Sequence, residues 1–131
     1  MVKTIYLCGG IKDLSSQEQN KWRDNTTKIL FPRFNILNPM RRNFRDNEFQ
    51  SQNEICSLDK EDIINSDILL VNATKPSWGT AMEIMFAFSK HKIVICFTGG
   101  EYKEISPWVG FHSTRICKTL DDGIKYIQKH F

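Results

Sequence analysis

The chain has 131 residues, 40% of them hydrophobic, 25% charged and 11% aromatic, which excludes a disordered, collagenous or low-complexity polypeptide and suits one domain around one core. Its formal net charge of +3 is mild and its basic residues are interleaved with acids, whereas a nucleic-acid binder gathers positive charge into a patch or stripe. Four cysteines stand far apart with no CxxC, so neither a zinc knuckle nor a thioredoxin-type site is supported.

No apolar run reaches membrane-spanning length, and Met1-Val2-Lys3 leads directly into a strand pattern without signal-peptide architecture, so the expectation is a soluble, cytoplasmic protein. The first apolar segment, Thr4-Ile5-Tyr6-Leu7-Cys8, is rich in strand formers and stopped by Gly9-Gly10, a buried strand followed by a tight turn. Ser15 stands three residues before Glu18, a capping-box spacing, and Trp22, Thr26, Ile29 and Leu30 follow at helical intervals, predicting a helix over 15–30 that Pro32 closes. Phe34-Asn35-Ile36-Leu37 is a second short strand, ended by Asn38-Pro39. Residues 38–53 are polar and aperiodic and read as a long loop, a feature that in compact domains is often functional. The densest basic stretch, from Arg33 to Arg45 and including Arg41 and Arg42, reads as a solvated loop in preference to a phosphate-binding patch.

Ile55, Leu58, Ile63 and Ile64 recur at helical spacing over 53–66, and Asp67-Ile68-Leu69-Leu70-Val71-Asn72 is then a continuous buried strand. After a loop over 73–79, a helix over 80–91 is apolar on nearly every side, so something besides its own sheet, such as a second subunit, is expected to cover it. Ile93-Val94-Ile95-Cys96-Phe97 is the fourth strand, stopped by Gly99-Gly100, and a fifth spans 114–117. Thr119 caps a final helix with Ile124, Tyr126 and Ile127 on its apolar side. Cys8, Cys96 and Cys117 end apolar runs and read as reduced core residues.

Strands alternating with helices, the strands nearly all apolar, imply an α/β three-layer sandwich with about five parallel strands in flavodoxin-like 2-1-3-4-5 order. Ligands in such sheets bind at the carboxyl ends of the strands, which here means residues 8–12, 38–45, 72–80 and 98–108. The turn Cys8-Gly9-Gly10-Ile11-Lys12 carries neither GxGxxG nor a P-loop. A phospho-receiver domain fails too, because Asn72 and Cys8-Gly9 stand where it needs acids.

The remaining constellation is Tyr6, Asp59, Ser77 and Glu83. Glu83 has two readings: Thr80-x-x-Glu83 is itself a capping-box spacing, or the carboxylate lies beside the crevice against an apolar helix, where burial without solvation accompanies function. Asp59 and Asp62 share a helix face with Ile55, which turns that face toward the core, so at least one acid approaches the pocket unless both are solvated surface acids. Tyr6 places a hydroxyl on a central strand, either for the site or for pairing with backbone.

With these residues placed, the chain resembles the nucleoside 2-deoxyribosyltransferase family over nearly its whole length. The resemblance rests on Ile5-Tyr6-Leu7-Cys8-Gly9-Gly10-Ile11, on Asp59 followed by Asp67-Ile68-Leu69-Leu70-Val71, on Gly79-Thr80-Ala81-Met82-Glu83-Ile84, and on Ser106-Pro107-Trp108. It implies one deoxyribosyltransferase-like domain over 1–131 that cleaves an N-glycosidic bond without cofactor or metal. Glu83 would be the nucleophile on the anomeric carbon, Asp59 would handle the proton of the departing base, and Tyr6 would orient Glu83.

Six residues before the Glu, base-exchanging members of the family carry an Asp and members that hydrolyse nucleoside 5′-monophosphates carry a Ser. This chain has Ser77; a hydroxyl can donate to a phosphate that a carboxylate would repel. Ser106 matches a second phosphate-binding Ser, supplied in the family by a neighbouring subunit. Ser77, Ser106, Lys12 and the N–H groups of Gly9 and Gly10 would form a phosphate cradle, with Gly79 beside it and Arg41 or Arg42 contacting phosphate or base. Lys12 is a point charge where that branch has an Arg, and Gly10 stands where it has a Ser. Trp78 and Trp108 either stack on the base or pack between subunits. The expectation is an N-glycosidase of a (2′-deoxy)nucleoside 5′-monophosphate, at least a homodimer, with no nucleic-acid or membrane partner. The alternatives are a base-exchanging nucleoside 2-deoxyribosyltransferase and a non-catalytic nucleotide-binding module.

Overall fold

The computed structural model describes residues 1–12, 14–44, 46–100 and 105–131. Arg45, the end of the basic stretch, and residues 101–104 of the fourth strand-end segment lie outside the described residues. Among those described, the strands are β1 (Thr4–Gly9), β2 (Asn35–Leu37), β3 (Ile68–Asn72), β4 (Ile93–Phe97) and β5 (Arg115–Cys117), and the helices are α1 (Ser16–Leu30), α2 (Gln52–Ile64), α3 (Trp78–Ser89), α4 (Pro107–Phe111) and α5 (Leu120–His130). The strands pair in parallel in the order β2-β1-β3-β4-β5, as the alternation of elements predicts. Gly9, Asn72 and Phe97 lie side by side at the carboxyl edge.

Successive side chains of a strand point to opposite faces, and this parity places the site. Ile5, Leu7, Ile68, Leu70, Ile95 and Phe97 meet Trp22 and Leu30 of α1 and Ile124 and Ile127 of α5. Tyr6, Cys8, Leu69, Val71, Val94 and Cys96 meet Ile63 of α2 and Ile84 and Ala87 of α3 on the other face. Each buried Leu or Ile contributes roughly 1.5–3 kcal/mol. Tyr6 therefore enters the layer that α2 and α3 close. Cys8, Cys96 and Cys117 are free and buried, and Cys56 is exposed.

Helix starts follow local hydrogen bonding. The Glu18 N–H donates to Ser15 Oγ and the Ser15 N–H to Glu18 Oε1, both at 3.1 Å, so α1 begins with the expected capping box. The Asp122 N–H donates to Thr119 Oγ1 at the start of α5. At α3 the expectation fails. Ser77 is the cap, accepting the Thr80 N–H at 3.3 Å, and the helix begins two residues earlier than the apolar pattern predicts. Ser is as good a cap as Thr, and the earlier start adds helical hydrogen bonds. Glu83 thus sits in the second turn, beyond reach of the unpaired N–H groups at the helix start, and the capping-box reading of Thr80 and Glu83 is overturned.

Two elements were not legible. Within the polar 38–53 segment, Asn38 caps a 3-10 turn over Pro39–Arg41, with the Met40 N–H donating to its Oδ1 at 2.9 Å. Ser106 caps the short α4, which has Pro107 in its first turn. No helix among the described residues is long and apolar enough to cross a membrane.

Candidate active site

A cleft of about 530 Å³ opens at the carboxyl edge of the sheet, between the β1–α1 turn, the 38–53 segment, α2 and the start of α3. Gly9, Lys12, Asp59, Ser77, Gly79 and Glu83 all line it. At its floor the Tyr6 hydroxyl donates to Glu83 Oε2 at 2.5 Å. Sheet parity supplies the tyrosine, 1% exposed, and the second turn of α3 supplies the carboxylate.

Burial dominates the electrostatics of the pair. Burial pushes the Glu83 carboxyl up to about 8, Asp59 adds to that rise, and the Tyr6 hydrogen bond and the Arg23 charge oppose it. Burial, with the negative charge of Glu83, pushes the Tyr6 phenol far above its ordinary value, so it stays a proton donor. Asp59 is raised, first by burial and further by Asp62, while Arg42 pulls it down. For Asp62 burial pushes upward, but hydrogen bonds from Arg41 and Arg42 outweigh it and hold the carboxyl below its ordinary value.

Those arginines correct the solvated-loop reading of the basic stretch. Arg42 bridges Asp59 at 3.0 Å and Asp62 at 2.8 Å with its side chain 18% exposed, and Arg41 bridges Asp62 at 2.7 Å. Arg42 lines the cleft together with Met40, Asn43 and Phe44, whereas Arg41 is turned to Asp62 outside the lining. The two α2 acids are ion-paired, so the reading of both as free surface acids is also corrected. The long-range charge match between segments 17 to 21 residues apart has no local periodicity to announce it.

Gly79 leaves open space where a side chain would project. Gly9 has a different reason: a Cβ there would meet Trp22 Cζ2 at 2.9 Å. Lys12 is exposed at the cleft mouth. Ser106 caps α4 and does not line this cleft in its own chain. Neither Trp78 nor Trp108 lines it either; they are 91% and 73% exposed, and Trp108 stacks on His112 at 5.7 Å. Base stacking by either tryptophan within its own chain is therefore not what the fold provides. Trp78 borders a larger cavity of about 900 Å³ across the Gly10 and Ser77 ridge, where Lys75 bridges Glu18 at 2.6 Å. That cavity holds neither Glu83 nor Asp59, and both acids line the smaller cleft.

Sequence reasoning missed Arg23. It is 0% exposed and donates to the carbonyls of Gln19 at 2.6 Å, Gly9 at 3.0 Å and Leu7 at 3.4 Å, with its guanidinium 4.8 Å from the Trp22 ring centre. Burial lowers its pKa while the acidic groups of the cleft raise it. The available signal was a charged residue beside Trp22 on the buried stripe of α1. No group of three metal-ligating side chains occurs among the described residues.

The parallel α/β sheet thus carries a hydrogen-bonded Tyr–Glu pair and a second acid at its carboxyl edge. The family model described as Nucleoside 2-deoxyribosyltransferase matches residues 5–111, and the chain belongs to that family. No curated protein sequence matches it. Solved structures share the fold: a conserved protein from Enterococcus faecalis V583 (16% identity, all of both chains, TM-score 0.75); the CMP N-glycosidase BcmB of Clostridium botulinum (17% identity, 98% of this chain and 100% of that one, TM-score 0.67); and a 2-deoxyribosyltransferase from Bacillus psychrosaccharolyticus (19% identity, 94% of this chain and 91% of that one, TM-score 0.72).

Proposed function

We propose that the protein, as one deoxyribosyltransferase-like domain, hydrolyses the N-glycosidic bond of a (2′-deoxy)nucleoside 5′-monophosphate to free base and sugar 5-phosphate. The observation that carries this reading is the Tyr6–Glu83 hydrogen bond at the floor of the cleft that Asp59 also lines. The ionised Glu83 attacks the anomeric carbon; the carbon–nitrogen bond breaks, its electron pair leaves with the base, and Asp59 supplies the base with a proton. Water, losing its proton to Asp59, then attacks the same carbon and displaces Glu83 from the ester. Tyr6 keeps the carboxylate aimed and favours its charged form.

Ser77, six residues before Glu83 at the start of α3, favours a phosphate over a free sugar hydroxyl. Lys12 and the N–H groups of Gly9 and Gly10 complete the cradle, and Arg42 takes the role of Arg41 at the base or phosphate. Met82, Met85 and Phe88 of α3 and Trp108 and Phe111 of α4 form an exposed apolar face, which supports a homodimer in which the partner subunit's Ser106 reaches the phosphate. The nucleoside monophosphate class is also what the C. botulinum CMP N-glycosidase is named for.

The test is incubation with dCMP, dGMP, CMP and the matching nucleosides, with and without an acceptor base. Base release from monophosphates alone is expected. Exchange that requires an acceptor would make the protein a transferase, and tight binding without turnover a nucleotide-binding module. Glu83→Ala is expected to abolish turnover and keep the fold.

A further inference from the structure

We infer that the Thr80 hydroxyl is a sugar-reading group: it takes a hydrogen bond with a secondary hydroxyl of the substrate pentose and sets discrimination between ribose and its deoxy forms. The inference rests on the proposed function above and adds to it a residue with no role there.

Thr80 lines the cleft and is 6% exposed, yet its Oγ1 is buried with no hydrogen-bond partner among the described residues. A threonine within a helix ordinarily bonds a carbonyl one turn back. Thr80, in the first turn of α3, does not, whereas both α1 threonines do: Thr26 Oγ1 donates to the Trp22 carbonyl at 2.7 Å and Thr27 Oγ1 to that of Arg23 at 2.8 Å. A buried polar group without a partner costs free energy and calls for an explanation. Ser77 is the N-cap of α3 and accepts the Thr80 N–H, so the Thr80 hydroxyl has no capping duty.

Position explains what the hydroxyl is for. Ser77, Thr80 and Glu83 recur at three-residue spacing over the first two turns of α3, and all three line the same cleft. With Glu83 at the anomeric carbon and Ser77 toward the 5′-phosphate, Thr80 stands between them, alongside the ring carbons that bear the 2′ and 3′ hydroxyls. A threonine hydroxyl both donates and accepts, as a sugar hydroxyl does, and rotation to the second χ1 rotamer open to a helical threonine turns Oγ1, closed to solvent in this structure, toward the cleft. A site holding an unmet hydrogen bond rejects a substrate that cannot complete it, and such bonds to the sugar strengthen in an oxocarbenium-like transition state.

The test compares wild type, Thr80→Val and Thr80→Ser on CMP, dCMP and 2′,3′-dideoxy-CMP by base release. Loss of kcat/KM in Thr80→Val of roughly tenfold is expected only on substrates carrying the contacted hydroxyl. Selectivity that vanishes between CMP and dCMP assigns the 2′ hydroxyl, and between dCMP and the dideoxy form the 3′ hydroxyl. Thr80→Ser should recover the discrimination. Thr80→Val should melt at or above wild type, since it removes an unpaired buried hydroxyl. Equal loss on all three substrates, or none, overturns the inference while leaving the proposed reaction standing. If wild type turns over none of them, the proposed reaction fails, and calorimetric binding of ribose 5-phosphate decides the inference separately: weaker binding by Thr80→Val supports it, and equal or absent binding overturns it.

Discussion

Tyr6 and Glu83, on the first strand and the third helix, share a 2.5 Å hydrogen bond that closes the floor of the cleft. Because the hydroxyl donates to the carboxylate, the bond favours the charged form and opposes the upward push of burial. Tyr6→Phe should move the acidic limb of the kcat/KM profile to higher pH and lower the rate below that limb. Asp59→Asn should move the same limb to lower pH, since it removes a neighbouring negative charge, while slowing departure of the base. Opposite movements of one limb, read from pH–rate profiles, would identify Glu83 as the titrating group; movements of the same sign would not fit this pair.

Stability should carry the same signature. The Glu83 carboxyl is raised from 4.5 to about 8 in the fold, so between these values the folded chain binds the proton and the unfolded chain does not. The group's contribution is fully present below about 4.5 and is lost as pH rises through about 8. Glu83→Gln should therefore match wild type in acid and exceed it in mild alkali, the gap opening as pH rises from about 4.5 to about 8, measured by urea denaturation across pH.

Arg23 donates to the carbonyls of Leu7 and Gly9 in β1 and of Gln19 one turn back in α1. Arg23→Met removes these side-chain donors and should cost about 1–3 kcal/mol for a carbonyl left unpaired. Removing this positive charge should also raise the acidic limb, because it opposes the rise of Glu83. Arg23→Lys, which keeps the charge but loses the fork, should restore the limb more than the stability. A variant that melts like wild type would refute the packing role.

The homodimer proposed across the exposed apolar residues of α3 and α4 is testable in trans. Glu83→Ala and Ser106→Ala are each expected to be inactive or nearly so as homodimers. Refolded together, they should regain activity, because one site of the heterodimer combines an intact Glu83 with an intact Ser106 from the other chain. Absence of recovery would place Ser106 outside the site. Met85→Asp, with Met85 46% exposed on that face, should shift the protein to monomer in sedimentation and lower turnover with it.

Much of this molecule could be read along the chain. Continuous runs such as Ile68-Leu69-Leu70-Val71 announce strands buried on both faces, and Ser15 with Glu18 announces a helix start, because both signals act over a few neighbouring residues. Strand order and the strand-end location of the cleft follow from general rules on parallel sheets. The start of α3 was misplaced because Ser77 and Thr80 are comparable caps, and local pattern alone does not rank them.

The amino-acid order thus carried the sheet, the choice of Tyr6, Asp59, Ser77 and Glu83, and the family. The fold decided which of them meet and what else joins them. Arg42 on Asp59, Arg23 under Gly9 and the unpaired Thr80 hydroxyl depend on how far each helix is rotated and where the 38–53 segment crosses the sheet edge. Those are sums of many distant contacts, and no single stretch of sequence encodes them.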